Sequence, residues 1–183
     1  HNGIAALPGA GEACVRFRER GGTVVLVTNA PMPEAAVAKR LGARMGRLAW
    51  RHFPDGESLV AIDEDLAGAD VVLFASLDNP DRKALPLWFA AQTARELGAR
   101  RVGLVAPYLA YMRQDMAFQP GEAVSQRHVG QALASWFDAV ITVDPHLHRV
   151  ATMDEVLPGR RGLALSAAPL LGAWAARHAR SPI

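Results

Sequence analysis

Cysteine is almost missing from this 183-residue chain, which has Cys14 alone. A lone cysteine cannot close an internal disulfide, and without a CxxC pair or an HExxH motif a thiolate zinc centre and a zincin-type protease are both excluded. Long apolar runs are missing too, since none approaches the ~20 residues that a bilayer crossing needs. No charged stretch followed by an apolar stretch and a small-residue cleavage site opens the chain. These absences predict a cytoplasmic protein with no membrane partner. Lysine occurs only as Lys39 and Lys83, so the net charge of +2 is carried by arginine. The arginines are scattered and not interleaved with exposed-looking aromatics, which argues against a dedicated nucleic-acid surface. There is no Walker A loop, no GxGxxG opening a helix and no GxSxG elbow, and the commoner nucleotide and hydrolase readings go with them.

Half of the residues are hydrophobic. That is enough for one domain over residues 1–183 to bury a core without metals or disulfides. Unbroken apolar runs at residues 23–27, 71–77, 102–107 and 139–143 read as strands buried on both faces, hence a parallel sheet covered by helices. Residues 47–62 alternate less cleanly; a loop or bend around Phe53-Pro54-Asp55-Gly56 and a strand over 58–62 are expected there. A last strand is expected at 162–165. Helices are predicted over 9–20, from Pro33 to Gly42, over 83–97 with Leu85, Trp88, Ala91 and Leu97 as its core face, after a Ser125 cap with the stripe Val129, Leu133, Trp136 and Phe137, and over 169–178. The fold class is therefore α/β, a three-layer sandwich around a mostly parallel sheet of about five strands, Rossmann-like in outline.

In such a sheet ligands bind beyond the carboxyl ends of the strands. The residues there are polar: Thr28-Asn29, Asp78-Asn79-Pro80-Asp81, the run from Tyr108 to Asp115, and Asp144-Pro145-His146-Leu147-His148. Arg113, Gln114 and Asp115 place a guanidinium, an amide and a carboxylate in succession. That set suits gripping a phosphate with a purine stacked on the arginine, and suits a salt-bridged helix start equally well. The Asp144 to His148 cluster fits either a hydrogen-bonded loop or a Mg²⁺ bound to polyphosphate, which needs only one or two protein ligands. Taken alone, Phe53-Pro54-Asp55-Gly56-Glu57 is simply a turn.

Taken in order, FPDGE (53–57), Asp78-Asn79-Pro80, PYLAYMRQD (107–115), PGEAVS (120–125) and DPHLH (144–148) closely resemble the N-terminal half of ribose-phosphate pyrophosphokinases, over roughly residues 27–183. The resemblance implies a phosphoribosyltransferase-like fold and an enzyme that transfers the β,γ-diphosphate of ATP to ribose 5-phosphate with Mg²⁺. It implies MgATP or ADP as ligand, contacted by Arg113 and Gln114, with Asp115 alongside. It implies that Phe53, Asp55 and Glu57 reach the adenine site of a neighbouring subunit, hence a homo-oligomer, and that His146 helps hold Mg²⁺. The family's ribose-phosphate loop and catalytic flap belong to its C-terminal half, so these residues are expected to bind nucleotide without catalysing transfer, and no catalytic residue is assigned. Leu163 stands where the family often has a second Mg²⁺-binding aspartate.

Residues 1–31 resemble something else. His1-Asn2-Gly3, Arg18-Glu19-Arg20-Gly21-Gly22 and Thr23 to Pro31 are similar to the stretch between the first two motifs of haloacid-dehalogenase phosphatases. That resemblance makes Thr28 and Asn29 a phosphate contact, although the nucleophilic aspartate would lie before His1 and no matching lysine or acidic motif follows. Together the two resemblances imply a chimera joined near residues 27–34, the other reading being a natural pyrophosphokinase relative with an added N-terminal helix. The alternative is a structural, recombinant α/β protein with no retained activity.

Overall fold

A computed structural model describes residues 24–28, 38–39 and 42–178. The helix expected over 9–20 and most of that from Pro33 to Gly42 lie outside the described residues, as does Asn29. The elements are β1 (Val24–Thr28), β2 (Arg44–His52), β3 (Ser58–Ile62), β4 (Asp70–Phe74), α1 (Asp81–Glu96), β5 (Arg101–Ala106), α2 (Ser125–Trp136), β6 (Ala139–Val143), α3 (Met153–Val156), β7 (Arg161–Leu165) and α4 (Ala168–His178).

The strands form one seven-stranded sheet in the order β3-β2-β1-β4-β5-β6-β7. All neighbours pair in parallel except β3, which lies antiparallel against β2 at one edge. The count exceeds the five or so expected, chiefly because of β2. Its pattern buries Gly46 and half-buries Leu48, Trp50 and His52, with Met45, Arg47, Ala49 and Arg51 turned outward. A period of two built from glycine, histidine and arginine lacks the apolar run that marks the central strands. β4 and β5 sit in the middle of the sheet and are buried nearly throughout.

One face of the sheet carries the main core, where Val71, Leu73, Val102, Leu104 and Val140 pack with Leu87, Ala90, Leu133, Phe137 and Met153. On the other face Val72 packs against the helical, buried Ala38. Helix α1 departs from expectation. Besides Pro86, its buried residues are Leu87, Ala90, Ala91 and Ala94, at the i, i+3, i+4, i+7 spacing, whereas Leu85, Trp88 and Leu97 are 51%, 36% and 39% exposed. Alanines let the helix lie close to the sheet, and the bulkier side chains are displaced to its flank. There Trp88 rests against Phe89 and Trp136, with ring centroids at 5.4 and 6.4 Å. In α2 the expected stripe holds for Leu133 and Phe137, both buried, with Val129 and Trp136 packed at its margin. Ser125 does not cap it: Val124 is the cap residue and no side chain bonds the first turn. Helix α4 buries none of its residues, and Leu171 and Trp174 are exposed.

Close approach fixes the third helix. A Cβ built on Gly130 of α2 would stand 2.1 Å from the Val156 carbonyl oxygen of α3. Gly130→Ala is therefore expected to cost about 2 kcal/mol or more through overpacking, read as a lowered urea midpoint.

The amino ends of the strands are tied by ion pairs. Asp70, fully buried at the start of β4, accepts from Arg100 Nε (3.0 Å) and Nη2 (2.7 Å) and from Arg101 Nε (3.0 Å). Asp138, just before β6, accepts from the Val102 backbone N–H (2.8 Å) and Arg95 Nη1 (3.1 Å), and Arg160 Nη1 lies 3.3 Å away. Burial by itself would raise the Asp70 pKa, but the hydrogen bonds and charges of Arg101 and Arg100 outweigh it and hold the carboxyl below the usual aspartate range. A lowered folded pKa means stability that is fully present above the unfolded value, about 3.9, and lost as pH falls through the folded one. Asp70→Asn should cost about 2–3 kcal/mol at neutral pH by leaving two guanidiniums without their acceptor. Urea melts should give the same deficit from pH 5 to 8, shrinking below about pH 4 as the parent's Asp70 takes up its proton.

Candidate functional site

In the order β3-β2-β1-β4-β5-β6-β7 the chain builds outward from β1 to one side and then to the other, so the direction reverses between β1 and β4. The carboxyl ends of the strands beside such a reversal form the natural ligand edge of an open α/β sheet. Thr28 ends β1 there, in register with Phe74 of β4.

Backbone strain marks this edge. Among the described residues three non-glycines have positive φ: Asn79 (53°), Tyr111 (64°) and Asp144 (42°). Each lies in the loop after one of the successive strands β4, β5 and β6. Asparagine and aspartate tolerate the left-handed region, but a tyrosine there costs on the order of 1–2 kcal/mol. Tyr111 is held in place by its hydroxyl, which donates to the Asp81 carboxylate at the start of α1. Sequence reading named all three positions among the polar strand ends but not their left-handed backbone, for which Asn and Asp next to strand ends were a usable signal.

The loop after β5 is braced from several sides. Met112 is buried, and the buried Gln126 of α2 donates through Nε2 to the Met112 carbonyl (3.1 Å) and through its backbone N–H to the Gln114 carbonyl (3.2 Å). Gln114 Nε2 donates to Glu122 Oε2 (3.1 Å), which also accepts from the Phe118 N–H (2.8 Å). The Asp115 side chain is only 7% exposed and forms an ion pair with Arg149 Nε at 3.4 Å. Arg113 is exposed, and no described carboxylate pairs with it. So the three adjacent side chains are not equivalent. Gln114 and Asp115 hold the loop, and Arg113 is left to the solvent side. The segment is not helical, and the salt bridge it makes reaches across to the next loop.

That next loop contains His146 and His148, both exposed, with ring centroids 4.0 Å apart and planes at 84°. Asp144 is committed elsewhere: its N–H donates to the Leu165 carbonyl (2.8 Å) and its Oδ2 accepts from the Ala167 N–H (3.0 Å). Among the described residues no group of three or more His, Cys, Asp or Glu could hold a metal. This donor set fits a Mg²⁺ brought by a polyphosphate and touched by one imidazole. It does not fit a resident ion caged by protein.

The FPDGE turn joins β2 to β3. The Phe53 N–H donates to the Glu57 carbonyl (2.7 Å), and Gly56, at φ 95°, donates to the Phe53 carbonyl (3.0 Å). The Glu57 N–H donates to Asp55 Oδ1 (3.1 Å). Phe53 is 36% exposed, with the Arg51 guanidinium 4.3 Å above its ring. In the sheet β2 and β5 are separated by β1 and β4. At about 4.8 Å per strand that puts the Phe53 turn on the order of 14 Å from the Arg113 loop. The structure brings Arg113, Asp115 and the His146 loop together and leaves Phe53, Asp55 and Glu57 apart from them.

Fold and edge together define an open α/β domain whose carboxyl edge leaves Arg113 and His146 exposed. The family described as the N-terminal domain of ribose phosphate pyrophosphokinase matches residues 23–136, and the chain belongs to it. A ribose-phosphate pyrophosphokinase of Halobacterium salinarum is 40% identical over 112 residues, covering 61% of this chain and 40% of the relative. One of Methanopyrus kandleri is 39% identical over 110 residues, covering 60% and 38%. The chain thus spans about 40% of the length of these relatives. The crystal structure of phosphoribosylpyrophosphate synthetase from Mycobacterium smegmatis superposes with a TM-score of 0.75 at 24% identity, over 85% of this chain and 52% of that one, a likeness of fold. The family match includes β1 and residues 28–31. No helix among the described residues is long and apolar enough to cross a membrane.

The brace between the two loops can be tested without a ligand. Arg149→Ala leaves the mostly buried Asp115 carboxylate without its partner, a loss of about 1 kcal/mol. Hydrogen exchange should accelerate over residues 113–118 while the β4 amides keep their protection.

Proposed function

We propose that this chain is the nucleotide-binding half of a ribose-phosphate pyrophosphokinase, with MgATP or ADP as its ligand. The observation that carries the reading is the Asp115–Arg149 pair, which ties the loop bearing the unpaired, exposed Arg113 to the loop bearing His146. Arg113 would bind the nucleotide through a planar guanidinium suited both to phosphate oxygens and to stacking on a purine. Gln114 would present its remaining hydrogen-bonding capacity, and Asp115 acts by positioning the loop. His146 would contact the Mg²⁺ of the bound nucleotide. The metal supplies charge neutralisation along the triphosphate. Phe53, Asp55 and Glu57, standing about three strand spacings away, serve in this reading the site of a second copy, which makes the protein a homo-oligomer.

For these residues by themselves the reading is nucleotide binding without diphosphate transfer. In the family, ribose phosphate is held by a loop of the other half. A junction with a phosphatase-like segment near residues 27–34 would fall inside the family match, which begins at residue 23. A phosphate contact by Thr28 and Asn29 would then be part of the pyrophosphokinase edge.

Calorimetric titration with MgATP tests the proposal. The parent chain should bind, and Arg113→Ala should weaken binding about tenfold, the loss of one charge-assisted contact worth about 1.5 kcal/mol, with an unchanged melting temperature. No heat from the parent would overturn the assignment and favour a purely structural protein, and equal affinity in Arg113→Ala would overturn the role of Arg113.

A further inference from the structure

Beside the Arg113 edge, at the point where the strand order reverses, lies a cleft of ≈470 Å³ formed by β2, the end of β4 and the start of α1. It shares no residue with the Arg113, Gln114, Asp115 and His146 set. Pockets of a few hundred cubic ångströms with an apolar wall and a few convergent polar groups are the usual form of small-molecule sites. Here the wall includes Leu48, Trp50, Leu73 and Phe74, and the rim includes Arg51, Arg82 and Lys83.

The charge of the lining is unbalanced: three cations, Arg51, Arg82 and Lys83, face one carboxylate, Asp78. That carboxylate is already spent, since Lys83 Nζ donates to Asp78 Oδ1 (2.6 Å) and to the Ser76 carbonyl (2.9 Å). Asp81, next to Arg82 in the chain, is engaged by the Tyr111 hydroxyl. Arg51 lies over the Phe53 ring, a contact that steadies its guanidinium without neutralising it. Two guanidiniums therefore remain without a described counter-charge. Asn79 at the same rim holds a left-handed backbone, the kind of local strain that gathers at ligand sites. His52 spends Nδ1 on the Ser58 hydroxyl (3.0 Å), leaving its other ring nitrogen for a further partner.

We propose that this cleft binds a small phosphomonoester, its dianion held by Arg51 and Arg82 and its body lying against Trp50 and Leu48. Two guanidiniums match the double charge and the fork geometry of a phosphate, and the apolar wall prefers an esterified phosphate to the free ion. The site is separate from the nucleotide edge and stands whether or not that edge binds MgATP.

The test titrates the full chain with phenyl phosphate, inorganic phosphate and phenol while following the indole N–H resonance of Trp50, assigned through Trp50→Phe. Phenyl phosphate should shift that resonance at concentrations at least tenfold lower than inorganic phosphate, and phenol should leave it in place. Arg82→Glu should abolish the shift without changing the melting temperature, and Arg113→Ala should leave it as in the parent. An unmoved Trp50 resonance, or a shift that survives Arg82→Glu, overturns the proposal. Equal affinities for the two phosphates would overturn the part played by the apolar wall.

Discussion

The burial of Asp70 beneath two arginines sets the terms for the rest of the domain. A parallel sheet gathers all the amino ends of its strands on one edge and all the carboxyl ends on the other, and this chain treats the two edges oppositely. At the amino edge the charges are closed among themselves: Asp70 takes Arg100 and Arg101, and Asp138 takes Arg95, Arg160 and the Val102 N–H. At the carboxyl edge Arg51, Arg82 and Arg113 have no carboxylate partner among the described residues. Much of the arginine excess, ambiguous in composition, thus has a structural use. Separating the two roles by sheet edge lets the fold be pinned by electrostatics without discharging its own binding surface.

The loops of the carboxyl edge follow the same division of labour. Arg113 is flanked by residues that spend their polar groups on the protein: Met112 and Gln114 through Gln126, Gln114 and Phe118 through Glu122, Asp115 through Arg149. A charged group presented by a braced loop loses less entropy on binding than one presented by a slack one. The strained backbones at Asn79, Tyr111 and Asp144 need opposing contacts, which Tyr111 finds in Asp81 and Asp144 finds in Leu165 and Ala167.

How far this could be read from sequence depended on the range of the interaction. β4, β5 and β6 were legible because burial on both faces leaves an unbroken apolar run. β2 was not, because an alternating strand whose inward positions include glycine and histidine carries no such run. Of the core face expected for α1, Ala91 is buried, but Leu87, Ala90 and Ala94 are buried with it in place of Leu85 and Trp88, since alanines let the helix pack close. The polar strand ends were legible as a set, and the resemblance picked out Arg113 and His146. The Asp115–Arg149 pair, the Gln126 tether and the cleft above β4 join residues tens of positions apart and leave no mark on local periodicity.

Geometry also constrains what a complete site would require. The Phe53 turn and the Arg113 loop lie at the same edge of the sheet but with β1 and β4 between them, and both ends of the FPDGE turn are fixed by the pairing of His52 with Ser58. Rotating the Phe53 ring cannot span about 14 Å, and moving the turn would mean unzipping β2 from β3. Within one chain the two motifs are therefore held apart by the sheet itself. Between them, over the strand reversal, is the arginine-rimmed cleft. Two unpaired guanidiniums at the cleft and one at the braced loop would repel one another across an apolar surface if left bare, and bound anions relieve that cost at each.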